Sequence, residues 1–144
     1  MQKTEYNRYA EKHTPDSPMG KNMLWAFLVG GAICALGEAI GNFFASRGME
    51  TQEAATAVSC TLIFLSILLT GLDVYDGIAK HAGAGTIVPI TGFANAIASP
   101  AIEFKTEGYI LGVGAKMFVV AGPVITYGIV SSVLAGIVYY LFLM

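Results

Sequence analysis

The sequence predicts an all-α integral membrane protein, a polytopic helical bundle with broken or re-entrant half-helices in its C-terminal half. Three observations carry that prediction. The 144 residues are 55% hydrophobic and 12% charged, about half the charge of an ordinary soluble domain. The charges fall in clusters, and the apolar runs between them are about as long as a spanning helix. Pro89, Pro100 and Pro123 interrupt the runs of the second half. Disorder is excluded, because it requires low hydrophobicity. A formal net charge of −2 offers no basic surface for nucleic acid. Cys34 and Cys60 lie in apolar stretches, which argues against a disulfide framework or a zinc site. No metal or cofactor is expected, and no nucleophile–base arrangement suggests an enzyme.

A hydrophilic segment, residues 1–23, precedes a membrane domain, residues 24–144. The head is richer in Lys and Arg than any later polar bridge, which places the N-terminus in the cytoplasm. The run 24–46 contains one charge, Glu38, and reads as the first span. It is too long for a signal-peptide core, which is about 7–15 residues. The run 54–72 is uncharged and reads as the second span. Asp73, Asp76, Lys80 and His81 follow. They read as a solvated helix end with an interfacial Tyr75, since a calcium cage needs about 6–8 oxygens.

The segment 82–121 reads as broken. Gly83, Gly85 and Gly92 loosen its backbone, and Pro89 and Pro100 lack an N–H. Thr91 and Ser99 are good N-cap residues, and Pro100 suits the first position of a new helix. The segment is therefore either a broken span or a re-entrant loop, which survives at membrane depth only when buried in protein or facing water. The string Ala82-Gly83-Ala84-Gly85-Thr86 lacks the GK[ST] ending and the preceding strand of a nucleotide loop. From Gly108 to Met144 a single helix would extend about 55 Å, more than a bilayer core. A break is expected at Gly122-Pro123. It leaves a half-helix or tilted span carrying Lys116, then a final span at 124–144 with Tyr139 and Tyr140 as interface anchors.

Within these runs, Gly30, Cys34, Glu38, Asn42 and Ser46 recur every four residues and form one slowly winding polar seam. A carboxylate in mid-membrane is tolerated where it faces a water path, a partner charge or a neighbouring subunit. The seam therefore faces either a pore or a helix–helix contact. Lys116 lines the pore, pairs with Glu38, or snorkels to the interface. Glu38, Asn42, Asn95 and Lys116 are the candidate path residues. Gly37 with Gly41, and Gly128, Ser132 and Gly136, have the small-residue spacing of close helix packing. Few helices are available to enclose a pore, so self-association or partner subunits are expected.

The stretches AFLVGGAICALGEAIGNFF, LLTGLDVYDGIAKHAGAGTIVPITGFANAIASPAIEFKTEG and YILGVGAKMFVVAGPVI resemble the SpoVAC/SpoVAEb family of sporulation membrane proteins. The string AGAGTIVPITGFANAIASPAIE is the most specific part, and the hydrophilic head favours the AC branch. The resemblance implies residence in the inner (forespore) membrane of bacterial endospores. It implies a channel subunit, mechanosensitive in the AC branch, that moves dipicolinic acid with calcium during sporulation and germination. SpoVAD, SpoVAEb and other SpoVA proteins are the implied partners. The competing expectation is a membrane scaffold that docks SpoVAD without lining the path. A small secondary transporter with a midplane site ranks last, since the halves show no internal repeat.

Overall fold

The computed structural model describes Tyr9 and residues 18–143. The described residues form helices and tight turns, with no strand among them. Most of the hydrophilic head expected at 1–23, and Met144 at the end of the last span, lie outside the described residues.

Helix α1 spans Met19–Ser46, starting before the apolar run because Pro18, with φ −70°, stands at its N-cap. Hydropathy marks where hydrocarbon begins, not where a helix must end, so the polar turn around Lys21 and Asn22 is helical too. Helix α2 spans Thr51–Gly71, with Glu53 in its first turn against the positive end of the helix dipole. A short connection makes the two antiparallel. Gly37, buried, lies against Val58 and Leu62: a Cβ there would stand 3.4 Å from Leu62 Cδ1. A Cβ on Gly41 would stand 3.5 Å from Val58 Cγ2. Gly41→Leu is accordingly expected to force α1 off α2 at a cost of about 1–3 kcal/mol, while Ile40→Leu costs less. Co-purification and thermal stability of the two variants would be compared, and equal behaviour would refute the packing role of Gly41.

Asp73 turns the chain in the left-handed region, φ 58°. Helix α3, Val74–Ala82, follows as an amphipathic helix. Asp76 and Lys80 form an exposed ion pair at 2.8 Å, which holds the lysine pKa above its usual value. Tyr75 is not interfacial as expected. It is buried and donates its hydroxyl proton to the Thr86 carbonyl at 3.2 Å, because α4 folds back over it.

The break after α3 is at Gly83, whose φ of +49° with ψ −117° suits a residue without a Cβ. Helix α4 is one turn, Ala84–Ile87, and packs on α1. The approach is backbone to backbone. A Cβ on Gly85 would fall on the Ala26 carbonyl, and one on Gly30 would stand 3.2 Å from the Gly85 carbonyl. The glycine string thus serves close packing. Pro89 is extended and caps helix α5, Ile90–Glu103. Gly92 lies against the Thr86 carbonyl and Ile87, where a Cβ has no room.

Two expected breaks are corrected. Helix α5 runs through Ser99-Pro100, so Pro100 is inside a helix and not at the start of one; Thr91 is likewise inside α5 and not its N-cap. Helix α6, Ala115–Leu143, runs through Gly122-Pro123, so no separate span begins at residue 124. Each proline lacks the N–H that would pair with a carbonyl of the preceding turn, but ending the helix there would leave several more backbone groups unpaired in apolar surroundings, so the helix continues. A 3₁₀ turn, Phe104–Glu107, and a π-helical turn, Tyr109–Gly114, connect α5 to α6. Gly108, φ +96°, reverses the chain between them. Gly112 packs on the Phe104 carbonyl, leaving no room for a side chain.

Among the described residues, three helical stretches are long and apolar enough to span a membrane: Met19–Ser46, Thr51–Gly71 and Tyr109–Phe142. At about 1.5 Å per residue, α5 reaches only about 21 Å, short of a hydrocarbon core of about 30 Å. α1 packs on α2, α3 and α4; α2 packs on α5; α5 packs on α6. From Pro123 to Phe142, α6 is exposed throughout, and Cβ atoms on Gly128 and Gly136 would meet open space. Ser132 hydrogen-bonds to the carbonyls of its own helix. Among the described residues, the stripe Gly128, Ser132, Gly136 therefore packs against no other helix.

Candidate functional site

The four expected path residues occupy three separate places. Glu38 and Asn42 are exposed on α1, and the Asn42 amide donates to the Glu38 carboxylate at 3.4 Å. They border a groove of about 410 Å³ between α1 and α2, walled by Gly37, Gly41, Ala54, Ala55 and Val58. Asn95 is half-buried where α5 meets α2, with its amide oxygen 2.8 Å from Thr70 Oγ1. Lys116 is half-buried on α6, and its ammonium lies 3.8 Å from the centre of the Phe104 ring, a cation–π contact. One chain brings Glu38 to Asn42 but brings neither to Asn95 or Lys116.

A second set of polar groups sits at the broken segment. Ser66 is buried and donates to the Thr91 carbonyl at 2.6 Å. Thr70, one turn on, reaches the Ser66 carbonyl at 2.7 Å as well as Asn95. A hydroxyl has one proton, so it donates to one of these; with the amide turned to present its NH₂, Asn95 donates to the other lone pair and both contacts are satisfied. Thr86, also buried, donates to the Gly83 carbonyl at 2.9 Å, and its own carbonyl receives Tyr75. The hydroxyl of Thr91, a residue 6% exposed, has no partner among the described residues. Ser66, Tyr75, Thr86 and Thr91 stand in the wall of an almost wholly apolar cavity of about 420 Å³, lined otherwise by apolar side chains of α1, α2 and α3 such as Ile33, Leu62, Leu65 and Ile78.

Sequence reasoning singled out Asn95 but missed Ser66, Thr70 and Thr86, and read Thr91 only as a helix cap. The available signal was a pair of polar steps of four, Ser66/Thr70 and Thr91/Asn95, in otherwise apolar runs. Such side chains hydrogen-bond across helices in a bundle.

Among the described residues, no group of three His, Cys, Asp or Glu side chains is placed to hold a metal ion. Cys34 and Cys60 are unpaired and exposed on α1 and α2. His81 contacts the Gly77 carbonyl through Nδ1 at 3.0 Å and sits tilted against Trp25, with ring centres 6.3 Å apart.

Comparison with known proteins adds two findings. The family described as SpoVAC/SpoVAEB sporulation membrane protein matches residues 22–138. Stage V sporulation protein AC of Bacillus subtilis (strain 168) is 43% identical over 141 residues, covering 97% of this chain and 94% of that protein. No solved structure matches.

Proposed function

This chain belongs to the SpoVAC/SpoVAEB family of sporulation membrane proteins, and from that membership we propose that it is a channel subunit moving dipicolinic acid, with calcium, across the inner membrane of the endospore. SpoVAD and SpoVAEb are its partners in this reading, and membrane tension is its opening stimulus. The observation that supports it best is the interrupted segment between α3 and α5. There Gly83 and Pro89 break the helix beside a cavity rimmed by Ser66, Tyr75, Thr86 and Thr91. Irregular backbone is retained at membrane depth where protein or water surrounds it, and the Thr91 hydroxyl is buried there with no partner among the described residues. A hydrated solute needs such groups along its way.

The test is dipicolinate release from spores carrying Thr91→Val or Asn95→Leu, after confirming that each variant reaches the membrane with its partners. Thr91→Val keeps shape and removes only the unpartnered hydroxyl. Release is expected to slow by several-fold in Asn95→Leu and by less in Thr91→Val. Normal rates in both would move the path away from this segment. The second reading, a scaffold that docks SpoVAD, draws support from the separation of Glu38, Asn95 and Lys116 within one chain. It gains if both variants release normally while substitutions at the exposed connection around Lys105 and Glu107 abolish SpoVAD binding.

A further inference from the structure

We propose that copies of this chain associate head to tail in the membrane, the Glu38 carboxylate on α1 of one copy accepting the Lys116 ammonium on α6 of the next. This inference does not depend on what the assembly conducts.

Glu38 is the one acid of the run 24–46, and Lys116 is the one base after residue 108. Among the described residues, neither meets an opposite charge. The ion pair found among the described residues is Asp76–Lys80. Glu38 has the Asn42 amide beside it, and Lys116 has the face of Phe104. A charge within an apolar span persists where it faces the bundle interior, a partner charge, backbone carbonyls or water.

The fold puts the two charges on opposite edges. α1 packs on α2, α3 and α4, whereas α6 packs on α5 and on its own first turns. Around α2, the positions that meet α1 (Val58, Leu62) and those that line a cavity with α5 and Met117 (Ile63, Ile67) point about 140° apart. Residues next to the two charges both border the middle stretch of α2. Gly37, next to Glu38, packs on Leu62; Met117, next to Lys116, shares its cavity with Ile63. One copy therefore cannot join them, but a neighbour displaced sideways within the membrane can. The groove beside Glu38, about 410 Å³ and walled by Gly37, Gly41, Ala54 and Ala55, leaves space for an entering lysine stem or helix. Two different edges meeting make a heterologous contact, which closes into a ring when the rotation permits.

Full-length copies with two different tags, both carrying Cys34→Ala and Cys60→Ala, would be co-expressed, one with Glu38→Cys and the other with Lys116→Cys. Oxidation is expected to give a species bearing both tags, and none when Tyr140→Cys replaces Lys116→Cys. In the native-cysteine background, Glu38→Lys alone and Lys116→Glu alone should each lose self-co-purification by about tenfold or more, since like charges then meet. Mixing those two variants should restore it, because every contact in an alternating assembly again joins opposite charges. That rescue excludes misfolding as the cause of the loss. The proposal is overturned by a cross-link from Glu38→Cys to a different protein only, by the absence of any oxidised species bearing both tags, or by mixing that restores nothing.

Discussion

Gly85→Ala is expected to remove most of the protein from the membrane fraction, while Gly77→Ala and Gly122→Ala leave its amount unchanged or slightly higher. The added methyl on Gly85 would fall on the Ala26 carbonyl and 2.8 Å from Ala26 Cα. Backbone lies on both sides of that contact, so no flexible side chain can yield. Nor can α4 slide away freely. It is one turn long, held between Gly83 in its positive-φ conformation and Pro89 in its extended one. The substitution must separate α4 from α1 and so uncover Tyr75 and Thr86, at a cost of about 3 kcal/mol or more. Gly77 and Gly122 are helical and open, where alanine is favoured by helix propensity by up to about 1 kcal/mol. Protein level and protease resistance in isolated membranes would measure this. A Gly85→Ala protein present at the normal level with normal resistance would show that α4 does not seal against α1.

Glu38→Leu is expected to leave the protein in the membrane and to abolish or strongly slow dipicolinate release, with Glu38→Gln milder. An acidic side chain at the centre of a span costs about 2.5–3.5 kcal/mol on the lenient insertion scale. If Glu38 faced only lipid, leucine would relieve that cost and function would be untouched. The carboxylate sits instead beside Asn42 at the rim of a groove of small residues. Leucine removes both charge and polarity there, whereas glutamine keeps the shape and the hydrogen bond to Asn42. Release kinetics from spores carrying each variant, with membrane content measured in parallel, separate the outcomes. Normal release in Glu38→Leu would take Glu38 out of function altogether.

Membrane class, the first two spans and the family were legible in the residues, because each rests on local composition. The uncharged runs, the lone Glu38 and the string AGAGTIVPITGFANAIASPAIE need no knowledge of contacts. The break at Pro89 was legible for the same reason, since a proline without an N–H opens a new helix readily.

Local rules failed where packing outweighs them. Pro100 and Pro123 look like breaks, but α5 is held by α2 and α6, and at Pro123, where α6 is exposed, ending the helix would leave more backbone groups unpaired in apolar surroundings than the proline itself does. Tyr75 beside Asp73 and Asp76 looked interfacial, yet α4 folding back on α1 buries it. The glycines of the string were read as loosening the chain. The pairing of Gly85 with Gly30 appears only when residues far apart in sequence are brought within van der Waals contact. The grouping of Ser66, Thr70, Thr91 and Asn95 has the same origin, since it depends on which faces of α2 and α5 meet. Composition by itself determined that this chain enters a membrane and where its first two apolar runs lie, while the helices themselves begin earlier, at Met19 and Thr51. Only the tertiary structure decided which polar groups find each other, because side-chain hydrogen bonds of this kind extend about 3 Å and join residues that the chain order keeps apart.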